Sequence, residues 1–447
     1  MLTRAIKRLL PGVFMGVVAL TPRLRAETAL SFTNDVAPIL VAKCVICHSP
    51  EKSKGHYQLH TFEALLKAGE SKAAPIQPGS ARESHLFQLI TATDEADRMP
   101  QKGDPLAPVE VQKIEKWISQ GARFDGPDPK AALASLVPRR GHVAPPAVYA
   151  RALPVLAVAF NPAGTELAVN GYNEVTFWEP STGKLLRRLT NVTERVQALA
   201  YSPDGAWLAV AGGVPGRSGE VALYSLKLLA LDAVLGSFGD VALAVTFDRA
   251  GQQLAAGITD NSIRIYDLAS RRERLVIQQH ADWVLALDFS PDGRRLASAS
   301  RDRSARVYNT ENGSLDATYM DHEAPVNAIA FSGKDERMIS AGRDKRILIW
   351  KSQDSKKVSE ISKFDGEIYR VAVTEKHLFC VTGDGSVRQY ALADNRLVQS
   401  FAGHKDSVYA LSVDEKQNRL ATGSYDGEVR IWDIGSGNGV SVFKPVP

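Results

Sequence analysis

Cysteine is scarce, with three in 447 residues, and that excludes a scaffold built from disulfides. Long apolar runs are missing too. Only Leu9–Leu20 is continuously apolar, short of the roughly 20 residues needed to span a bilayer, so a polytopic membrane protein is excluded. Hydrophobic residues are not depleted: 44% of the chain is hydrophobic and 23% charged, which excludes intrinsic disorder. Charge of one sign is absent once the first residues are set aside. The net charge is +4, yet Arg4, Lys7, Arg8, Arg23 and Arg25 fall in the first 26 residues, which contain no acid. Beyond them 49 basic residues face 50 acidic ones, a net charge of −1, so no nucleic-acid partner is expected. Phosphate-cradling loops, a serine-nucleophile elbow and a metalloprotease helix motif are also missing, and hydrolytic or phosphoryl-transfer chemistry has no support.

What is present begins with the basic segment Met1–Leu10, the apolar run Leu9–Leu20 and a short polar stretch ending at Ala26. That order is the pattern of a secretory signal peptide. Residues 1–26 are therefore expected to be a leader, cut after Ala26, and the rest to lie outside the cytoplasm, periplasmic in a bacterium. Leu24 replaces the usual small residue three before the cut, and Arg23 and Arg25 crowd the polar stretch. An uncleaved leader would instead anchor the protein to a membrane.

Cys44-Val45-Ile46-Cys47-His48 is the one strong chemical motif. Two thiols at this spacing lie on one face of a turn and can add to the two vinyl groups of one haem, while the adjacent histidine is carried under the iron. A redox dithiol would need a thioredoxin-like βαβ context, and a zinc site a second ligand pair; neither is there. A c-type iron needs a second axial ligand. Met99 is the one methionine in this part of the chain, in the polar stretch Asp94–Asp104. His85 is a sterically possible rival, whereas His56 and His60 follow His48 too closely to cross the ring. Apolar spacing predicts helices over Asn34–Cys44 and Pro108–Gln120, the second capped by Gly121, with Trp117 in the core.

These pieces, with Asp35-Val36-Ala37-Pro38-Ile39-Leu40, Pro78-Gly79-Ser80, Ser84-His85-Leu86, Met99-Pro100 and Trp117-Ile118-Ser119-Gln120-Gly121-Ala122, resemble the small c-type cytochrome domain of the planctomycete-type family. The resemblance implies covalent attachment of one haem c through Cys44 and Cys47, with His48 as proximal and Met99 as distal iron ligand.

Asp125–Pro154 contains six prolines and reads as a semi-rigid linker. From Val155 one unit recurs seven times, opening with VLAVAF (155–160), VQALAY (196–201), ALAVTF (242–247), VLALDF (284–289), VNAIAF (326–331), IYRVAV (368–373) and VYALSV (408–413). Successive strand ends lie 41, 46, 42, 42, 42 and 40 residues apart. Four short strands per 40–45 residues is the mark of a β-propeller, in which each blade buries its faces against its neighbours. The units resemble WD repeats, most clearly from Ser424-Tyr425-Asp426 to Ile431-Trp432-Asp433. His280, His322 and His404 each stand 22 residues before Asp302, Asp344 and Asp426, a regularity that reads as a repeated structural hydrogen bond. Cys380 reads as a buried apolar residue, Gly212–Gly219 as an irregular surface loop, and Arg294, Arg295, Arg301, Arg303 and Arg306 as a solvated strand face.

The expected fold class is multidomain. Residues 27–125 form a small all-α cytochrome c domain, residues 126–150 a proline-rich linker, and residues 151–447 an all-β, seven-bladed WD-repeat propeller. The expected function is single-electron transfer, with a redox partner protein and a second protein docked on a propeller face; no catalytic residue is assigned. A haem enzyme, either a peroxidase or a reductase of cytochrome-cd type, and a propeller scaffold whose haem domain only senses redox state are the alternatives.

Overall fold

The computed structural model describes residues 30–446 apart from 46, 51, 102–104, 127, 137–141 and 334–336; the expected leader lies outside the described residues. The chain divides into two compact units, one ending at residue 140 and one starting at 141. No helix among the described residues is long and apolar enough to cross a membrane.

The first unit is helical. A π-helical turn, Phe32–Val36, runs into α1 (Ala37–Lys43), followed by α2 (Phe62–Leu65), α3 (His85–Ile90), α4 (Pro108–Ser119) and α5 (Leu133–Leu136). The α-helix expected from Asn34 starts only at Ala37, because Pro38 lacks an N–H and fits a first helical turn rather than an interior one. At the other end of the unit, α4 stops where expected. The Gly121 N–H donates to the Ile118 carbonyl at 2.9 Å and the Ala122 N–H to the Trp117 carbonyl at 3.0 Å, with Gly121 at φ +99°. That paired arrangement satisfies the last helical carbonyls, and the positive φ favours glycine. Trp117 is a core residue: it is 2% exposed, its ring centroid lies 5.1 Å from that of Phe32, and its indole N–H donates to the Arg123 carbonyl at 3.0 Å.

The second unit is all β among its described residues and forms six antiparallel sheets, one of seven strands and five of four. Six sheets serve seven sequence repeats because Lys184–Tyr201 is continuous. Its first half pairs with Tyr172–Glu179 and its second with Trp207–Val214, so it is the last strand of one repeat and the first of the next. Between strands, Ser-Pro-Asp-Gly turns recur. Ser202 Oγ donates to Asp204 Oδ1 at 2.6 Å and Ser290 Oγ to Asp292 Oδ1 at 2.6 Å, each followed by a glycine at positive φ. The second strand of each repeat is buried on both faces, as in Leu296–Ser300, because a neighbouring sheet covers each side. Burial of each large apolar side chain there stabilises the fold by roughly 1.5–3 kcal/mol.

The sheets also meet end to end. The Phe160 N–H, in the first repeat, donates to Ser412 Oγ in the last at 3.1 Å, the Val155 N–H donates to the Ser424 carbonyl at 3.0 Å, and Trp178 stacks on Phe443 at 5.1 Å. The Gly212–Gly219 segment is not the irregular loop its composition suggests. Its flanking strands stay paired as far as Val214 opposite Ser218. Glycine is required because a Cβ at Gly212 would stand 2.1 Å from the Arg195 carbonyl oxygen, and one at Gly213 equally close to that of Ser218.

Candidate functional site

At the end of α1 the chain tightens into one further turn. The Cys44 N–H donates to the Leu40 carbonyl at 2.9 Å, and the Cys47 and His48 N–H groups donate back to the Cys44 carbonyl at 3.1 and 3.2 Å. This turn brings Cys44, Cys47 and His48 to the wall of one cavity of about 530 Å³, within the 300–1,000 Å³ typical of cofactor sites. Both thiols are free. Burial, reinforced by the neighbouring Cys47, pushes the Cys44 thiol up to about 12, so it stays protonated in this apolar setting.

His48 is oriented by the chain that returns past it. Its Nδ1 lies 3.1 Å from the Tyr57 carbonyl oxygen. A carbonyl only accepts, so Nδ1 carries a hydrogen, which in the neutral ring leaves the lone pair on Nε2. The carbonyl is held in turn, because the Tyr57 hydroxyl donates to the Leu65 carbonyl at 2.8 Å and the Leu59 N–H to the His48 carbonyl at 3.0 Å. A partner of this kind on the second nitrogen fixes the tautomer of a metal-binding histidine. Tyr57 had no sequence signal, since the working group is its backbone carbonyl.

Met99 lines the same cavity, tied to the end of α3 by its N–H, which donates to the Leu89 carbonyl at 3.0 Å. Leu86, Leu89, Ile90 and Leu106 supply apolar wall around it. His85 also lines the cavity, with its Nδ1 3.5 Å from Gln88 Oε1. His56 and His60 are not on the wall. Two unbridged thiols, an imidazole with a free Nε2 and a thioether in one apolar hollow are the donor set that a covalently attached haem requires, and the residues present fit it. No group of three or more His, Cys, Asp or Glu that could hold a bare metal ion gathers among the described residues.

The repeated histidines of the second unit are engaged differently. His280 Nδ1 meets Asp302 Oδ2 at 2.8 Å and its Nε2 meets Ser298 Oγ at 2.6 Å. His322 repeats this with Asp344 at 2.7 Å and Ser340 at 2.8 Å. Burial opposes ionisation of Asp302, yet hydrogen bonds from His280, Ser304 and the Ala281 N–H hold its carboxyl well below the usual range. His404 breaks the pattern. Its Nε2 meets Thr422 Oγ1 at 2.7 Å, but Nδ1 is buried without a hydrogen-bond partner, 3.8 Å from Glu428 Oε1. Asp426 accepts the Glu428 N–H at 3.0 Å instead, and Arg430 is hydrogen-bonded to the Glu428 carboxylate. Burial and the Arg430 charge lower the His404 imidazole to about 4.

The remaining expectations are quickly placed. Cys380 is fully buried. Of the clustered arginines, Arg301 lies over the Trp283 ring at 4.6 Å, Arg295 over Phe331 at 5.8 Å, and Arg306 near Asp302 at 3.8 Å. Arg294, Arg301 and Arg303 are exposed, as a solvated face requires, whereas Arg295 and Arg306 are half-buried.

Residues 44–103 match the family described as Planctomycete cytochrome C. Residues 183–225, 272–309, 313–351 and 395–433 match the WD domain, G-beta repeat. Among curated proteins, BEACH domain-containing protein B of Arabidopsis thaliana is 44% identical over 55 residues, 12% of this chain and 2% of that protein. Periodic tryptophan protein 2 homolog of Schizosaccharomyces pombe is 38% identical over 58 residues, 13% of this chain and 7% of that protein. Target of rapamycin complex subunit LST8 of Saccharomyces cerevisiae is 28% identical over 90 residues, 20% of this chain and 30% of that protein. The chain thus spans less than a third of each of these relatives. Among solved structures, the computationally designed Ika8 protein superposes with a TM-score of 0.54 at 19% identity, over 67% of this chain and 88% of that one, a likeness of fold alone.

Proposed function

From a planctomycete-type cytochrome C domain joined to WD40 repeats, we propose an exported electron-transfer protein that holds one covalent haem c and docks a partner protein on a seven-bladed propeller. The observation that carries this reading is the convergence of Cys44, Cys47, His48 and Met99 on one apolar cavity. Cys44 and Cys47 would form the two thioether bonds, His48 Nε2 would be the proximal ligand and Met99 Sδ the distal one. Haem so held would supply a one-electron iron couple, and the two candidate ligands, His48 and Met99, would favour transfer over catalysis. Tyr57 holds the imidazole in the ligating tautomer, and the leucines and Ile90 keep water from the buried face. The count of seven blades is supported by the shared strand Lys184–Tyr201 and by the bonds between the first and last repeats. Both ring nitrogens of His280 and His322 are taken, which weighs against a second haem held there, as a reductase of cytochrome-cd type would need. Export, resting on the leader expected over residues 1–26, belongs to the same proposal.

The test is an absorption spectrum of protein made in a host with cytochrome-maturation machinery, beside a Met99→Ala variant. The wild type should show a low-spin c-type spectrum. The variant should keep its haem but shift its spectrum, lower its reduction potential and bind carbon monoxide when reduced. An unchanged spectrum would move the distal ligand away from Met99, with His85 the next residue to replace.

A further inference from the structure

The seven opening strands can be laid over one another residue by residue. Their third position reads Ala157, Ala198, Ala244, Ala286, Ala328 and Ala410 in six repeats and Arg370 in the remaining one. In the structure these seven residues line a single cavity of about 170 Å³, walled by the first strand of every repeat. Arg370 and Gln197 are the only polar side chains on that wall; the rest are alanine, leucine, valine and isoleucine. Six of the seven positions carry a methyl group, and the seventh carries a guanidinium.

We propose that this cavity is a binding site for a small oxyanion, a carboxylate or inorganic phosphate, held by the Arg370 guanidinium. Arg370 has one hydrogen-bond partner among the described residues, the Tyr369 carbonyl oxygen, to which Nη1 donates at 3.0 Å. A guanidinium offers five N–H donors in a planar fork that matches carboxylate and phosphate oxygens. No acid among the described residues pairs with it. Asp288 is the one acid in the seven six-residue strands; it is not on the wall and accepts the Phe331 N–H at 2.8 Å, with Arg249 as its nearby cation. Burial alone disfavours the Arg370 charge, with no carboxylate offsetting it. An arginine does not shed its proton, so a charge kept in such a place calls for an anion from solution. Gln197, in the second repeat, supplies the other polar side chain of the wall.

The experiment uses the full chain, with sodium phosphate and sodium acetate titrated in separate calorimetric arms at constant ionic strength, so that general screening is equal throughout. The wild type should show saturable binding with one site per chain in at least one arm, and that arm names the source. Arg370→Ala, which restores the residue carried by the other six repeats, should keep the circular dichroism of the wild type and weaken binding by roughly tenfold or more. Arg370→Lys keeps the charge but not the fork, and should bind more weakly than the wild type and more tightly than the alanine variant. Binding by neither anion, or equal binding by wild type and both variants, would overturn the proposal.

Discussion

In the first unit His48 commits one ring nitrogen to the Tyr57 carbonyl and leaves the other facing a cavity, whereas in the second unit His280 and His322 have both nitrogens bonded to buried side chains. The cysteines divide the same way. Cys44 and Cys47 open onto a hollow, while Cys380 is fully buried in a central strand, paired with Val371 on one side and Arg388 on the other. Residue type is therefore a poor guide to chemistry here. What separates a reactive group from a structural one is whether the protein has already used its bonding capacity.

That contrast can be broken most forcefully at the thiols. Cys44→Ala/Cys47→Ala should abolish haem that survives denaturation, while Cys380→Ala should leave haem content unchanged and cost about 1 kcal/mol through a small lost contact. Absorbance of urea-unfolded, desalted protein reads the first and urea midpoints the second. Covalent haem in the double variant would end the assignment. Next in size is the packing of the second unit. Trp350 is fully buried, donates to Ser340 Oγ at 3.2 Å and stacks on Tyr319 at 4.8 Å, so Trp350→Ala should lower unfolding stability by about 3–5 kcal/mol with haem content unchanged. Calorimetry of the matured protein checks the first half of that statement and its absorption spectrum the second.

A third prediction sharpens the contrast within the second unit, because His404 is the repeated histidine left half-bonded. Its imidazole is lowered from 6.5 to about 4, so the folded state resists protonation that the unfolded chain accepts. The stability this represents is complete above the unfolded value near 6.5, falls as pH drops from there towards 4, and changes no further below. Over that window the loss is about 3 kcal/mol. Urea midpoints of wild type and His404→Asn between pH 7 and pH 4 should differ in slope, with the variant flatter; equal slopes would remove His404 as the cause.

Much of this was legible in the sequence where chemistry or repetition imposes spacing. Thioether attachment would require Cys44, Cys47 and His48 at the five-residue spacing they show, and packing of sheet on sheet repeats aromatic and histidine positions about every 40 residues. Features set by backbone groups or by neighbours were not legible. The Tyr57 carbonyl has no side-chain signature. The His404–Asp426 bond is missing although the spacing predicts it, and the residue two positions on does not mark the loss: Glu428 stands there, where Ser304 and Arg346 stand in the two repeats that keep the bond. The pairing of Gly212 to Gly219 hid behind a composition that reads as a loop. Arg370 was visible as a break in a column of alanines, but only the fold puts that column around one cavity.

The central claim is tested most directly by peptide mass mapping of matured protein with iron counted per chain. The account predicts one iron per chain and a porphyrin bonded to both cysteines of the peptide containing Cys44-Val45-Ile46-Cys47-His48. Matured protein with that peptide unmodified, or with its porphyrin attached elsewhere, would contradict it.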